Sequence, residues 1–221
     1  MTSSMRWPAV MATALIIACR PSVVHAQDRS ERDTVPRLPE RLSAATKSTV
    51  QSLIDSLIAE RLPASALADK AAEGVLKGAD DERILIAVRA LAVRLRTSRS
   101  ILGAIASADE LAAAASALYA GTPAAAITRL AATRRARNPS LPLTVPLSVL
   151  AELSTQRVPA DLALSSVDAL LARGARESDL RAFRADVDRD IRQGVSPRDA
   201  AKAGVQRTLT GLDRVPNEES M

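Results

Sequence analysis

Apolar residues recur with a helical period along most of this chain. Between residues 43 and 60 they occupy positions i, i+3, i+4, i+7 and i+8, which lie on one face of an α-helix. These residues are Val50, Leu53, Ile54, Leu57 and Ile58. No segment alternates apolar and polar residues over the length of a strand, and no Asn-Gly or Asp-Gly hairpin turn occurs. The pattern therefore predicts an all-α fold.

Prolines and glycines divide this pattern into eight or nine short helices. Proline occurs where it suits a first helical turn, as at Pro63, and glycine where a helix would end, as at Gly78. Proline lacks only a donor that the first turn leaves unused, and glycine accepts a positive φ at a helix end. The predicted helices span residues 43–60, 63–77, 80–102, 107–120, 123–136, 145–156, 159–173, 177–193 and 197–210. Residues 138–146, with three prolines, are predicted to form an extended crossover.

Several predicted helix starts carry side chains that stabilise them. Ser107 and Glu110 have the spacing of a capping box, in which each side chain binds a free backbone N–H of the other residue. The acids at 80–82 place negative charge at the start of another helix, where the helix dipole favours it. These signals support the predicted helix boundaries.

The apolar stripe of the predicted helix at 80–102 is wide. Ile84, Val88 and Leu95 lie along one side, and Ile86 and Val93 extend the stripe toward its flanks. A stripe of this width favours a central helix that several others cover. A homodimer seam is the alternative.

A shift of 96 residues aligns two parts of the chain without a gap. Residues 62–84 (LPASALADKAAEGVLKGADDERI) then match residues 158–180 (VPADLALSSVDALLARGARESDL), although identity is low. The matched positions include Pro63 with Pro159 and Gly78 with Gly174. We predict an internal duplication with repeat halves near 62–95 and 158–191, in a compact bundle or a short solenoid of helix pairs. Repeated use of the same caps by unrelated short helices is the alternative.

The first 26 residues have the three parts of a bacterial secretory signal. Arg6 supplies a positive start, residues 7–19 form a largely apolar stretch without charge, and Ala26 offers a small residue at the cleavage site. Arg20 ends the apolar stretch well short of the about 20 residues that a membrane-spanning helix needs. The prediction is a signal peptide cleaved after Ala26, with the mature protein periplasmic or secreted.

A second processing route competes within the signal. Residues 16–19 (IIAC) resemble the lipobox of bacterial lipoproteins, whose cysteine is lipidated and becomes the new N-terminus. Ile17 departs from that pattern because it is bulkier than the usual residue. The resemblance implies a protein that Cys19 anchors by its lipid in the cell envelope.

The amino-acid composition predicts where the helical domain begins and ends. Residues 27–40 are polar and charged and contain two prolines, so we predict a disordered linker there. The all-helical domain is predicted at 41–211. Residues 212–221 are predicted to form a disordered acidic tail.

The predicted signal contains every Cys, His and Trp of the chain. These residues are Trp7, Cys19 and His25. A mature chain without them lacks the groups for a Ser-His-Asp triad, a thiol nucleophile or a zinc site with nitrogen or sulfur ligands. The chain also has no S-x-x-K nucleophile, no Gly-Lys phosphate loop and no G-x-G-x-x-G sequence. The sequence therefore predicts no catalytic residue, no metal and no cofactor.

Aromatic residues are scarce as well. Without Trp7, only Tyr119 and Phe183 supply aromatic rings, and we expect both in the core. Such a core must be filled by Leu, Ile, Val and Ala. Because alanine carries little apolar area, its helices must approach closely to reach normal packing density.

Carboxylates are the remaining candidates for chemistry. Residues 186–190 (DVDRD) begin like a calcium loop, but Ile191 and Pro197 replace its required Gly and Glu. A helix in which Asp186 and Asp190 lie near arginines on a solvated surface explains this segment better. The acids at 80–82 and 177–179 hold matching places in the two repeat halves and suit helix starts. A facing carboxylate pair for glycoside hydrolysis is the alternative.

Residues 111–151 contain arginines and no acid. The arginines are Arg129, Arg134, Arg135 and Arg137. At a helix C-terminus they are favoured by the dipole. The functional alternative is a patch for an anionic envelope partner, such as phospholipid headgroups or an acidic protein.

The sequence predicts a non-catalytic periplasmic interaction or scaffolding protein. The alternative is a carboxylate-dependent enzyme that acts on cell-envelope polymers. The expected partner is a protein or another component of the envelope, and membrane contact requires lipidated Cys19 or the arginine patch. Nucleic acid is disfavoured by export, by 28 basic against 25 acidic side chains after removal of Arg6 and Arg20, and by the missing aromatics. No oligomeric state follows from the sequence.

The intact mass of the mature protein distinguishes the two processing routes. We expect a chain that begins at Gln27, because Ala26 has the small side chain that signal peptidase requires. Mass spectrometry of the protein isolated from its native cell measures this directly. A diacylated chain beginning at Cys19 would contradict cleavage after Ala26.

Overall fold

The computed structural model describes residues 37–137 and 142–214, which form nine α-helices and no strand. The helices are α1 (Ala44–Ala59), α2 (Ser65–Leu76), α3 (Asp81–Leu102), α4 (Ala108–Tyr119), α5 (Ala124–Arg137), α6 (Thr144–Thr155), α7 (Ala160–Ala172), α8 (Glu177–Arg192) and α9 (Pro197–Arg214). The all-α prediction is confirmed. The predicted signal, with Cys19 and Ala26, lies outside the described residues, as do residues 27–36 of the linker and 215–221 of the tail.

The end of α9 and the start of α6 differ from the prediction. α9 continues four residues past its predicted end, to Arg214, because Leu212 packs against the core and Asp213 pairs with Arg173 at 2.7 Å. Pro146, expected in an extended crossover, lies in the first turn of α6. The first turn tolerates proline because its N–H groups have no helical partner. Leu38, within the predicted linker, also packs against the core.

The helices follow one another in two rows. In the first row, α1, α3, α4, α6 and α8 each pack on the next. In the second row, α5 packs on α7 and α7 packs on α9. Contacts of α6 with α7 and of α8 with α9 join the rows, and α2 packs on both α1 and α3. The result is an array of helix pairs stacked on their neighbours.

The core is mostly aliphatic, and α4 contributes small side chains to it. Four alanines of that helix are buried between α3 and α6, the two helices against which α4 packs. They are Ala113, Ala114, Ala115 and Ala117. Of the two expected core aromatics, Phe183 is fully buried, but Tyr119 is 72% exposed. The expectation that both rings lie in the core was therefore wrong for Tyr119, because α4 ends at that residue.

α3 occupies a central position, in contact with α1, α2, α4 and α5. Ile84, Val88 and Leu95 are buried, as the stripe predicts. Ile86 and Val93 are exposed. At 100° per residue these two side chains lie on the face opposite the buried stripe, so they do not broaden it.

The turns that end α1 and α6 have the same hydrogen bonds 96 residues apart. The Leu62 N–H donates to the Leu57 carbonyl at 2.8 Å, and the Val158 N–H donates to the Leu153 carbonyl at 3.0 Å. The turns that end α2 and α7 also share a hydrogen bond at this offset of 96 residues, donated by the N–H of Ala79 in one turn and of Ala175 in the other. Such bonds satisfy carbonyls that a helix end leaves free. This agreement is consistent with duplication, which stays a prediction because similar caps also end other helices.

Arginine takes the place of glycine in one pair of these turns. Arg61 has φ 56° and Arg157 has φ 64°, a backbone region that favours glycine. The carbonyl of Arg61 accepts a hydrogen bond from the Arg99 guanidinium at 2.7 Å, which ties this turn to the end of α3. Gly78 and Gly174, at matching positions of the next pair, also have positive φ, as predicted.

Two glycines of α9 offer a matched test of helix packing. A Cβ atom on Gly204 would lie 3.0 Å from a methyl of Val187 and 3.1 Å from the Phe183 ring, whereas one on Gly211 would meet no atom within 4 Å. We expect Gly204→Leu to lower the free energy of unfolding by about 1–3 kcal/mol through overpacking. Gly211→Leu should leave it unchanged or raise it by up to about 0.8 kcal/mol through helix propensity. Urea unfolding followed by circular dichroism measures both, and equal effects would contradict the close contact of α8 and α9.

Candidate functional site

An exposed aromatic ring at the end of α4 lies close to two cations, one from α2 and one from α3. The centroid of the Tyr119 ring is 4.8 Å from the Arg94 guanidinium carbon and 5.9 Å from the Lys70 ammonium nitrogen. Both distances are within the range of a cation–π contact. We call Tyr119, Arg94, Lys70 and their ion-pair neighbours Glu73 and Lys77 the Tyr119 surface.

Helix packing brings these side chains together. The buried alanines of α4 let that helix approach α3 closely, so its last residue, Tyr119, reaches Arg94 on α3. Lys70 and Glu73 are three residues apart on one face of α2, and Lys77 follows at the C-cap of that helix, four residues after Glu73. α2 packs on α3, so this face lies beside the ring.

Ion pairs organise the α2 side of the surface. Lys70 binds one oxygen of Glu73 at 2.8 Å, and Lys77 binds the other oxygen. Hydrogen bonds from Lys70 and Lys77 lower the pKa of Glu73 from 4.5 to about 2. The Glu73 carboxylate in turn raises the pKa of Lys77. Glu73 and Lys77 are therefore charged at neutral pH.

Arg94 adds a cation that no acid neutralises among the described residues. Its side chain is half-buried, and its Nε atom is buried without a hydrogen-bond partner in that part of the chain. The Tyr119 surface thus holds three cations against the single carboxylate of Glu73, with an exposed ring among them. This combination suits an anionic group, which the cations attract and which can approach the ring at its positive edge.

The sequence alone did not identify this surface. Tyr119 stands out as the only tyrosine, and Lys70 and Lys77 are two of the four lysines after residue 26. Nothing in their spacing connects α2 with the end of α4, because the contact depends on the packing of both helices on α3. The one sequence feature that could have indicated the surface is a tyrosine at the predicted end of an alanine-rich helix.

The predicted arginine patch does not form one surface in the part of the chain that is described. Arg129 is exposed, whereas Arg134 and Arg135 are half-buried, and the side chain of Arg137 lies outside the described residues. Arg135 donates a hydrogen bond to the Leu102 carbonyl at the end of α3. It therefore stabilises a helix end. At 100° per residue, Arg129, Arg134 and Arg135 point in three directions.

The acids at 80–82 and 177–179 include residues that cap helices. Asp80 accepts a hydrogen bond from the Arg83 N–H at 2.8 Å, and Asp179 accepts one from the Arg176 N–H at 2.7 Å. Asp81 accepts one from the Ser43 N–H at 3.1 Å, which links the starts of α3 and α1. The hydrogen bonds from Ser43 and Thr46 lower the pKa of Asp81. These contacts agree with helix-start roles.

The acids at 186–190 are part of a charge lattice. Asp186 pairs with Arg189 at 2.8 Å, and Asp190 pairs with Arg207 of α9 at 2.6 Å. Asp188 pairs with Arg192 at 2.5 Å. The lattice was predicted, but the contribution of Arg207 was not, because it comes from the next helix.

Neither a family model, nor a curated protein, nor a solved structure significantly matches this chain. Within residues 37–137 and 142–214, no three acidic, cysteine or histidine side chains are grouped as metal ligands. In the same residues, no helix combines the length and the apolar character needed to cross a membrane.

The pH dependence of stability tests the ion pairs of Glu73. Since its folded pKa of about 2 is below its ordinary value of 4.5, the charged carboxylate stabilises the folded state above pH 4.5. This stabilisation is lost as the pH falls toward 2. We expect Glu73→Gln to lower the free energy of unfolding at pH 7 by about 0.2–1 kcal/mol, since the pairs are partly exposed.

The free energies of unfolding of the unchanged protein and of Glu73→Gln should become more similar as the pH falls from 4.5 to 2. Urea unfolding at pH 7, 4 and 3 measures both. A difference that is the same at pH 7 and pH 3 would contradict the lowered pKa of Glu73.

Proposed function

We propose that this protein is an exported, non-catalytic interaction protein whose Tyr119 surface binds an acidic segment of a partner protein. The observation that carries the proposal is an exposed tyrosine ring in cation–π contact with both Arg94 and Lys70. Tyrosine and arginine are the residue types that most often contribute large binding energies at protein interfaces. A stack of helix pairs offers a rigid support for such a surface.

The charge of the surface selects the partner. Lys70, Lys77 and Arg94 exceed Glu73 by two positive charges, so a segment rich in Asp and Glu complements it. Arg94 forms no ion pair within the described residues and is half-buried, so a partner carboxylate would bind it in a partly desolvated place. The exposed edge of the Tyr119 ring then adds apolar contact beside the charge.

An acidic protein fits better than a phospholipid surface. Clusters that bind anionic lipids contain about four to eight basic residues close together. The Tyr119 surface has three, and one carboxylate lies between two of them. The arginines of α5 do not add to them as a single patch, since Arg135 caps α3.

Export supplies the location in this proposal. The predicted signal at residues 1–26 places the mature chain in the periplasm or outside the cell. A lipid at Cys19 would instead hold the same surface close to the envelope. A carboxylate-dependent enzyme would need acids that converge on a cleft, whereas the acids described above cap helices or pair with arginines.

Tyrosine fluorescence offers a direct test. In the full chain with Trp7→Phe, Tyr119 is the only residue that emits on excitation at 280 nm. We expect octaglutamate to change this emission in a saturable way, with binding that weakens as salt rises. Arg94→Gln should weaken the binding about tenfold, because a charge-assisted hydrogen bond is lost.

Arg89→Gln is the matched control, since it removes the same charge from an exposed position of α3. It should leave the affinity within about twofold. Octalysine should not change the emission. The proposal is overturned if Arg94→Gln and Arg89→Gln have equal effects, or if vesicles with anionic headgroups change the emission and octaglutamate does not.

A further inference from the structure

Two exposed aliphatic side chains lie on the outer face of α3. Ile86 is 59% exposed and Val93 is 60% exposed. They are seven residues apart, so they lie on the same face, two helical turns or about 10 Å from each other. The other large apolar side chains that are exposed in the described residues lie singly on other helices or in loops. A stripe of this kind is therefore found on α3 alone in that part of the chain.

The stripe leads directly to the Tyr119 surface. Ile86, Ala90 and Arg94 are spaced four residues apart, so they form one row along α3. Val93 lies beside this row, three residues after Ala90. Because Ala90 is small, its place between Ile86 and Val93 leaves room for a side chain of another molecule. We call Ile86, Ala90 and Val93 the α3 ridge, and Arg94 joins it to the Tyr119 surface.

Two arginines limit what can cover the α3 ridge. At 100° per residue, Arg89 and Arg94 flank it on opposite sides, and neither forms an ion pair with a described residue. A second copy of this chain would bring two arginines from each copy together, and such like charges oppose association. A partner with carboxylates beside its apolar side chains meets the same arginines favourably.

The charges along α3 also give the bound partner a direction. Glu82 lies one turn before Ile86, at the end of the α3 ridge that is farther from the Tyr119 surface. The cations lie at the other end, where Arg94 and Lys70 contact the Tyr119 ring. Ile86 and Arg94 are eight residues apart, or about 12 Å along the helix. A matching segment therefore has its carboxylates about two helical turns away from its first apolar side chain.

From this arrangement we infer that the partner segment is an amphipathic helix with an acidic end. Its apolar side chains lie on the α3 ridge, over Ala90, and its carboxylates bind Arg94 and Lys70. Helices bind apolar surfaces in this way through side chains at i, i+3, i+4 and i+7. The inferred helix rests on the acidic partner proposed above, and it specifies the form in which that partner binds.

Two peptides of equal composition test the helix. In the first, four glutamates precede four leucines spaced i, i+3, i+4 and i+7, and in the second the same leucines are scattered around the helix. Neither peptide contains an aromatic residue, so Tyr119 emission in the full chain with Trp7→Phe reports their binding. We expect the first peptide to bind at least tenfold more tightly, because only its leucines lie on one face.

Variants of the α3 ridge separate the apolar contact from the charge. Ile86→Ala combined with Val93→Ala should weaken binding of the first peptide about tenfold, because two aliphatic side chains are no longer buried. The same double variant should leave octaglutamate binding within twofold. Ile105→Ala is the matched control, since it removes an exposed isoleucine from the loop after α3. It should leave both affinities within twofold, and the helical circular dichroism should be the same for all variants.

The possible outcomes distinguish the helix from the acidic partner itself. Equal affinity for the two peptides, or equal effects of the double variant and Ile105→Ala, would overturn the helix while saturable octaglutamate binding upholds the acidic partner. Loss of the octaglutamate response would overturn the acidic partner and the helix together. Self-association in analytical ultracentrifugation that the double variant abolishes would assign the α3 ridge to a second copy, and would overturn the helix too.

Discussion

The close approach of α4 to α3 and α6 is the constraint on which the rest of this structure depends. Phe183 is the one buried aromatic ring among the described residues, and many of the other buried side chains are alanines. Because alanine fills little space, dense packing requires backbones that lie near each other. The buried alanines of α4 meet that requirement at the middle of the first helix row. A larger side chain at Ala114 or Ala117 would separate α3 from α6 and would also move Tyr119 away from Arg94.

The parts of this fold that the sequence predicted depend on neighbouring residues along the chain. Helix ends follow from proline, glycine and capping side chains within a few residues, so eight of the nine described helices have both ends within two residues of the prediction. Ser107 and Glu110 form the predicted capping box. The end of α9 was missed because Leu212 and Asp213 are held by other helices. Contacts with distant helices leave no pattern in the sequence near the helix end.

The candidate sites were harder to predict for the same reason. The arginines of α5 are close in sequence, but successive side chains on a helix diverge, so closeness along the chain did not make a surface. The Tyr119 surface instead combines residues from separate helices. The binding role proposed for these residues rests on the helices that surround them.

The row arrangement has a consequence for how this chain reaches its folded state. Each helix packs mainly on the helices one or two places away along the sequence. Contacts between residues that are close in sequence cost little loop-closure entropy, so folding of such arrays is fast and can begin in more than one segment. Folding of this chain can therefore begin near either end and extend from one helix to the next.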